Sequence, residues 1–336
     1  MQEAQRLSIH VVSANALCTH PDFLASLATQ ADLSYQVIHV NLESQHGSSS
    51  DEETMHHPEV IKLRTLRNVG MVRGHNQAIA LALSRWVRSV WSERFVVLSR
   101  SEVMFDRYAC QEMLRAFDAD PHLMIAGPMV FWADTHASVE GDCIELTPTQ
   151  EIYTAGIGLT RSRTLVFWDR GFAERVQRSN EQMFLSDACV VIRASALEAL
   201  ALFEGVWLDP RLPSFFSVMD LCWRAARQGS RARLLPEARV WFAPQERSHA
   251  ARMSWRETYV PYIMRKRTDD FLLRIVHAPW ICFSFLRYRC SRLFFSRFWE
   301  ERLRLDVLAR SHLPDLKYER RSDTAVPLKE RRRWFM

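Results

Sequence analysis

A turn rich in asparagine and glycine offers the first candidate for chemistry in this chain. It reads Asn-Val-Gly-Met-Val-Arg-Gly-His-Asn over residues 68–76 and follows an extended segment at 60–67. A helix-like run at 76–86 comes directly after it. Such a turn between a strand and a helix is, taken alone, a weak signal of a binding site. The alternative is a plain strand-to-helix turn that binds nothing.

Predicted strands and helices alternate along the first 246 residues, and they would position this turn. Short apolar runs indicate strands at 7–12, 36–40, 60–66, 95–98, 124–130, 190–193 and 232–241. Helical spacing predicts helices at 21–29, 78–90, 108–117, 195–203 and 220–227. Residues 135–178 have turn residues and little periodicity, so we predict irregular structure there. Strands alternating with helices indicate a doubly wound α/β sheet.

Charge divides the chain into two parts. Residues 1–246 carry 23 basic and 29 acidic side chains, whereas residues 247–336 carry 21 basic and 10 acidic ones. The basic part therefore suits an anionic surface.

Seven cysteines in irregular spacing, with no zinc-ligand pattern, predict a reducing compartment and buried thiols. Residues 1–12 do not resemble a signal peptide, and the apolar stretch at 275–286 is too short to span a membrane.

Several segments, in order, resemble family-2 inverting glycosyltransferases of the rhamnosyltransferase-like type. The turn at 68–76 matches the family's Asn-x-Gly-(x)3-Gly-x-Asn segment. Residues 188–197 resemble its Gly-Ala-x-x-(Val/Ile)-Arg-Arg-x-Ala-(Leu/Phe) segment, and residues 217–224 resemble its Glu-Asp-x-Asp-Leu-x-x-Arg motif. The resemblance covers residues 7–246. It implies a GT-A domain, the Rossmann-like fold of nucleotide-diphospho-sugar transferases.

The resemblance also implies where a nucleotide sugar would bind. The implied binding residues are Asn41, Asn68, Gly70, Arg73, Gly74, Asn76, Arg100, Ser101 and Glu102. In the family, aspartates stand at the positions held here by Asn41 and His46. The Asn41 amide keeps one donor and one acceptor, so contact with a nucleobase is retained in altered form. The alternative is an ordinary asparagine at the end of a strand.

The metal-ligand positions of the family are altered too. Ser99 and Ser101 stand where carboxylates normally hold Mn²⁺ or Mg²⁺, and a neutral hydroxyl alone cannot hold such an ion. We therefore expect no metal cofactor. Arg100 could replace the metal's charge through bidentate phosphate contacts, the alternative being an exposed arginine after a strand. Glu102 would need a turn to reach the same place.

The general base is missing from its expected position. Ser217 and Val218 occupy the family's acidic pair, and Phe242 occupies the position of a metal- or phosphate-contacting histidine. Asp220 is retained; it either caps and orients the helix that it is predicted to open or serves as a recruited base.

The resemblance places Asp187 and Arg193 on the acceptor side. For Arg193, a structural ion pair with Glu198 or Asp187 remains the alternative.

Arginines and aromatic residues interleave in the basic part of the chain. Residues 247–316 are predicted to form a helical extension, and residues 317–336 a disordered tail. An arginine- and aromatic-rich helix suits the cytoplasmic membrane surface, whereas the alternative is an appendage packed on the domain or on a second subunit. No nucleic-acid motif is present.

Two functions follow from these observations. The first is a catalytically degenerate homologue that scaffolds or regulates a partner glycosyltransferase, or acts as a homo-oligomer. The second is an active, metal-independent inverting transferase in which Arg100 and Arg73 carry the phosphate charge and Asp220, Glu102 or Asp187 supplies the base. The family assembles surface polysaccharides such as O-antigen and capsule. We therefore expect a cytoplasmic protein, peripheral to the inner membrane.

Overall fold

The structure is a computed structural model that describes residues 5–13, 21–30, 33–42, 60–65, 68–137, 144–159, 165–167, 184–230 and 232–243. The chain divides into two compact units, Met1–Gln245 and Glu246–Met336, and every described residue belongs to the first. His46, the predicted extension and the predicted tail lie outside the described residues. The predicted domain boundaries therefore stay a prediction. No helix in the described ranges is long and apolar enough to cross a membrane.

Strands and helices alternate through the first unit. The strands are β1 (Leu7–Ser13), β2 (Tyr35–Leu42), β3 (Val60–Thr65), β4 (Phe95–Arg100), β5 (Val103–Phe105), β6 (Ile125–Ala137), β7 (Ile144–Thr154), β8 (Ile157–Leu159), β9 (Leu165–Phe167), β10 (Cys189–Arg193) and β11 (Arg233–Phe242). The α-helices are α1 (Pro21–Ala28), α2 (Met71–Arg85), α3 (Ala109–Ala119), α4 (Ala194–Leu200) and α5 (Ser214–Arg227), with a 3-10 helix at Arg88–Glu93.

One mixed sheet organises these elements. Its strand order is β3-β2-β1-β4-β10-β6-β11-β5, and β7 pairs with β6. The strands β3, β2, β1 and β4 run parallel, whereas β10 runs antiparallel to both of its neighbours. Every residue of β1 and β10 is buried, as expected for interior strands covered on both faces. The predicted α/β architecture is confirmed, with antiparallel strands added on one side.

The structure corrects three predicted elements. Helix α2 begins at Met71, inside the asparagine- and glycine-rich turn, because Gly70 with φ +82° ends the preceding turn and starts the helix. Helix α5 begins at Ser214, six residues before the predicted start. The region predicted to be irregular contains the hairpin of β6 and β7, whose pairing shifts register near Phe131. Such irregularities obscure the alternation that marks a strand.

Gly74 brings helix α2 close to the sheet. A Cβ atom at Gly74 would lie 2.8 Å from Cγ1 of Val12, closer than Cβ atoms are found to approach, and 3.1 Å from Cγ2. Val12 is buried in β1 and is β-branched, so it has little freedom to move aside. The second glycine of the turn is therefore a packing residue.

Replacing Gly74 with alanine is expected to lower the free energy of unfolding by about 1–3 kcal/mol, because the added methyl group overpacks a stiff contact. Urea unfolding followed by circular dichroism would measure the loss. Gln77→Ala, at an exposed position of the same helix, is the control and should change stability by less than about 0.5 kcal/mol. A Gly74→Ala protein as stable as wild type would contradict the packing role.

Candidate functional site

The candidate site lies where the parallel strands end. Val12 of β1 is paired with Val40 of β2 and with Arg100 of β4, so the three carboxyl ends lie side by side. Asn41 and Arg100 are two strand spacings apart, roughly 10 Å. Chain order reverses at this part of the sheet, since β2 and β3 extend to one side of β1 and β4 to the other. Open α/β sheets bind ligands in the crevice at such a point.

Buried polar atoms without partners mark the same place. Three side-chain atoms around these strand ends have no hydrogen-bond partner: Asn41 Oδ1, His75 Nδ1 and Arg100 Nε. Buried polar groups are nearly always paired, because an unpaired one carries its full desolvation cost. Atoms of this kind at a strand-end crevice indicate a site that a polar ligand completes.

Arg100 is the centre of a charged cluster. Its Nη2 lies 3.4 Å from Glu102 Oε1, and its Nη1 lies 3.5 Å from Asp187 Oδ2. Residues 101–102 form a turn, so Glu102 reaches Arg100 after all, and its carboxylate also accepts a hydrogen bond from Ser101 at 3.0 Å. The ring of Phe242 lies 5.7 Å from the guanidinium carbon. The cluster therefore holds one positive charge against two negative ones.

Burial and charge shift two pKa values in the site. Burial disfavours the charged form of Arg100, but the carboxylates of Asp187 and Glu102 outweigh it and raise the pKa of Arg100 above its ordinary value. Burial, followed by the nearby positive charge of Arg100, lowers the pKa of His75 to about 3. His75 is therefore a neutral imidazole at physiological pH.

A divalent metal ion does not fit the residues at this site. The positions expected to hold it carry Ser99 and Ser101, and Ser99 is fully buried with its hydroxyl donating to the Arg100 carbonyl. Both carboxylates near the strand end already face a guanidinium. Within the described ranges, no group of three or more histidine, cysteine or acidic side chains could hold a metal ion. Hard cations need several oxygen ligands, and with Arg100 in place these carboxylates are not available to one.

The first turn of helix α2 lies at the same edge of the sheet, because the helix follows the carboxyl end of β3. The side chain of Asn68 accepts a hydrogen bond from the Gly70 amide at 2.9 Å, which shapes the turn before the helix. No side chain caps this helix. Arg73 is exposed in the first turn and forms no ion pair with any described residue. A helix amino terminus with an adjacent cation favours an anionic group.

Asn76 has a structural role. Its Nδ2 donates to the Leu208 carbonyl at 2.8 Å, and its Oδ1 accepts from the amides of Trp207 at 3.1 Å and Leu208 at 2.9 Å. The side chain is buried and joins helix α2 to the segment before α5. Its predicted contact with a nucleotide stays a prediction, and the structure shows what else the amide does.

The expected position of the general base contains no available carboxylate. Ser217 donates its hydroxyl to the carbonyls of Asp209 at 2.8 Å and Leu212 at 3.2 Å, and Val218 is buried. Asp220 is fully buried and accepts a hydrogen bond from Arg224 Nε at 2.9 Å. Because α5 begins at Ser214, Asp220 lies in the helix interior and caps nothing.

Arg193 lies at the other end of the sheet. In the antiparallel pairing of β10 with β4, Arg193 is opposite Phe95, whereas Cys189 is opposite Ser99. The guanidinium donates to backbone carbonyls of Leu123, Ser92, Phe117 and Asp120. Arg193 therefore joins Ser92 to the stretch at residues 117–123 through four backbone carbonyls, and its predicted acceptor contact stays a prediction. Of the two acceptor-side candidates, Asp187 alone lies beside Arg100.

Two residues of the site were not predicted as contributors. His75 lies inside the recognised turn, and its burial and unpaired nitrogen appear only in the fold. Phe242 occupies a position where the family has a histidine, and its aromatic ring lies against Arg100. Tyr153 packs edge-on against Phe242, with ring centroids 5.3 Å apart. No sequence signal connects these residues, because they belong to different elements.

Solved structures show what this fold resembles. The mannosyltransferase PcManGT from Pyrobaculum calidifontis, solved with GDP-Man and Mn²⁺, has a TM-score of 0.52 at 13% identity, over 92% of this chain and 87% of its own. GalNAc-T7, solved with UDP, GalNAc and Mn²⁺, has a TM-score of 0.50 at 12% identity, over 88% and 54%. TarS 1–349 from S. aureus has a TM-score of 0.46 at 13% identity, and this chain spans 65% of that structure.

In sequence, by contrast, no protein-family model and no curated protein matches the chain. The similarity is therefore one of three-dimensional structure. These solved structures are GT-A glycosyltransferases. The described part of the chain therefore has the GT-A fold of nucleotide-sugar transferases.

Proposed function

We propose that this chain is a family-2-like glycosyltransferase homologue that binds a nucleotide or nucleotide sugar without a metal ion and does not transfer the sugar. Its role is to scaffold or regulate a partner glycosyltransferase that assembles a surface polysaccharide of the O-antigen or capsule type. The observation that carries the proposal is the loss of every available carboxylate at the expected position of the general base.

The residues at that position make contacts that stabilise the fold. The Ser217 hydroxyl is bonded to two carbonyls, Val218 is apolar, and Asp220 neutralises Arg224 inside helix α5. A general base must reach the acceptor hydroxyl and must be able to take up its proton. None of these three side chains meets both conditions. Loss of a general base typically slows a reaction by about 10²- to 10⁴-fold.

Ligand binding is supported independently of catalysis. The unpaired atoms belong to Asn41 at the end of β2 and to His75 near the start of helix α2, which also carries the exposed Arg73. Neutral polar atoms suit a nucleobase or sugar, and the helix start suits a diphosphate. PcManGT, which shares the fold, was solved with GDP-Man. This combination supports a nucleotide diphosphate or its sugar conjugate as the ligand.

The proposed setting follows from the sequence resemblance. Family-2 glycosyltransferases of this type act on lipid-linked acceptors at the inner membrane face. The excess of basic residues after residue 246 suits an anionic membrane surface or a partner. We therefore propose a peripheral association with the inner membrane, in a complex with an active transferase.

A second candidate function is supported by one observation. Asp187 lies beside Arg100 with its side chain 14% exposed, so a carboxylate and a cation meet at an accessible point of the site. An active, metal-independent transferase would use Asp187 as the base and Arg73 with Arg100 for the phosphates. Turnover that is lost in Asp187→Asn would favour this candidate.

Calorimetric titration with a panel of nucleotide sugars tests the main proposal. We expect at least one donor to bind, with affinities in Mn²⁺ and in EDTA that agree within about twofold. Asn41→Leu should weaken that binding about tenfold, because the variant removes a buried acceptor that the ligand completes. Gln77→Ala, on the exposed face of helix α2, is the matched control and should bind like wild type.

A turnover assay on the same samples separates the two functions. Release of free nucleotide should not exceed the rate without protein, with or without a candidate acceptor. Sugar transfer by the wild-type chain would overturn the non-catalytic assignment. Failure of every nucleotide sugar and nucleotide to bind would overturn the ligand assignment and leave only a scaffold.

A further inference from the structure

Arg100 occupies the place where the fold normally presents metal ligands. It is the last residue of β4, and the turn at residues 101–102 leads into β5. Phe242 of β11 is paired with Val103 of β5, so the aromatic ring that replaces the family's histidine lies beside the same turn. The Ala243 amide also donates to the Glu102 carbonyl at 3.2 Å. The altered positions at this strand end are therefore neighbours in space.

These altered positions form one consistent arrangement. The guanidinium of Arg100 has a carboxylate on each side, from Glu102 at 3.4 Å and Asp187 at 3.5 Å. An aromatic face lies 5.7 Å from its central carbon, a favourable position for a cation. Glu102 is 5% exposed at its side chain, so its charge needs a partner. If these positions had changed independently of one another, we would not expect every charged side chain among them to have a partner of opposite charge.

We propose that Arg100 is a built-in cation that replaces a divalent metal ion and prevents one from binding to Glu102 and Asp187. A divalent ion near these carboxylates would be repelled by the fixed guanidinium, and it would find no further oxygen ligands on Phe242. Removing the guanidinium leaves two uncompensated carboxylates at one place. The pair then becomes a divalent-cation site.

This inference deepens the proposed metal-free ligand binding at the same site, and its main test uses no nucleotide. Arg100→Met removes the charge and retains an unbranched side chain of similar length. Mn²⁺ is titrated into the full chain, and free Mn²⁺ is followed by electron paramagnetic resonance. We expect Arg100→Met to bind one additional Mn²⁺, at least about tenfold more tightly than wild type binds at this site.

Three control variants locate the gained site. Arg100→Met combined with Glu102→Gln, or with Asp187→Asn, should lose the additional Mn²⁺. Arg115→Met frees Glu112 from an ion pair on the exposed side of helix α3 and should gain no Mn²⁺. A folded Arg100→Met protein that binds Mn²⁺ no better than wild type would overturn the inference.

A second measurement decides the case if Arg100→Met does not fold. In Glu102→Gln/Asp187→Asn, Arg100 keeps its charge and loses both neutralising carboxylates. Pyrophosphate affinity should then rise at least about tenfold over wild type. An unchanged affinity in the folded double variant would overturn the inference. Gain of Mn²⁺ by Arg100→Met, together with no nucleotide binding by wild type, would support the inference and refute the proposed ligand.

Discussion

Replacing Asp220 with asparagine is expected to lower the free energy of unfolding by about 3–5 kcal/mol. The carboxylate is fully buried and receives a hydrogen bond from Arg224 Nε at 2.9 Å. Arg224 also donates to the carbonyls of Leu200 and Trp207, so its position is set by several elements. Asparagine leaves the positive charge of Arg224 buried without this counter-charge. Urea unfolding at pH 7 would measure the loss.

Asp118→Asn is the matched control for this experiment. Asp118 pairs with Arg6, but their side chains are 54% and 39% exposed, so solvent screens the interaction. We expect a loss below about 1 kcal/mol. If Asp220→Asn costs no more than Asp118→Asn, the buried pair does not hold helix α5 in the way the geometry indicates. Asp220→Asn also tests Asp220 as a base, provided that any measured rate is corrected for the folded fraction.

The second large effect is a loss of stability in mild acid. Burial is the main cause that lowers the pKa of three histidines. The pKa of His39 falls to about 4, with a further contribution from Lys62, and that of His75 falls to about 3. The pKa of His10 falls well below its ordinary value of 6.5, with a further contribution from His75. All three are neutral in the folded chain at pH 5 to 6.

The sign of the effect follows from proton uptake. Below pH 6.5 the unfolded chain binds protons on these histidines, while the folded chain does not until the pH approaches about 4 for His39 and about 3 for His75. Stability is therefore full above pH 6.5 and falls as the pH decreases. Each histidine contributes up to about 1.4 kcal/mol per pH unit. His39 and His75 together therefore contribute up to about 2.8 kcal/mol per pH unit near pH 5.5, and His10 acts in the same direction.

Urea unfolding at several pH values from 5 to 7.5 would measure this slope. His39→Gln removes one titrating group while keeping a side chain that can bond to Ser13, and it should reduce the slope by about 1.4 kcal/mol per pH unit. A wild-type stability that does not change between pH 7 and pH 5 would contradict the burial of these imidazoles. An unchanged slope in His39→Gln would remove His39 from the explanation.

The retained motif residues have structural roles in this fold. Gly74 makes room for Val12, Asn76 holds residues 207–208, and Arg193 holds four backbone carbonyls. Asp220 and Arg224 form a buried pair. The matches that carry the resemblance thus have packing roles, whereas the positions that carry the family's chemistry differ in this chain. A chain can keep a fold without its reaction, because fold and function depend on different residues.

The local sequence by itself determined the alternation of strands and helices and the position of the turn at 68–76. Apolar periodicity and turn composition depend on neighbouring residues, so they can be recognised without the fold. Predictions were wrong where the alternation of apolar and polar residues was interrupted, as in the hairpin of β6 and β7 with its register shifts. The start of α2 was missed because the left-handed conformation of Gly70 decides it.

The tertiary structure alone decided which charged groups share the site. Arg100 and Asp187 are 87 positions apart in the chain, and they meet because the antiparallel β10 lies beside β4. The same strand pairing moves Arg193 to the far end of the sheet, although it lies only six residues after Asp187. Such partners follow from strand order and register, which long-range packing sets. The sequence therefore indicated a GT-A domain with altered motifs, and the fold showed that Arg100 lies between Glu102 and Asp187.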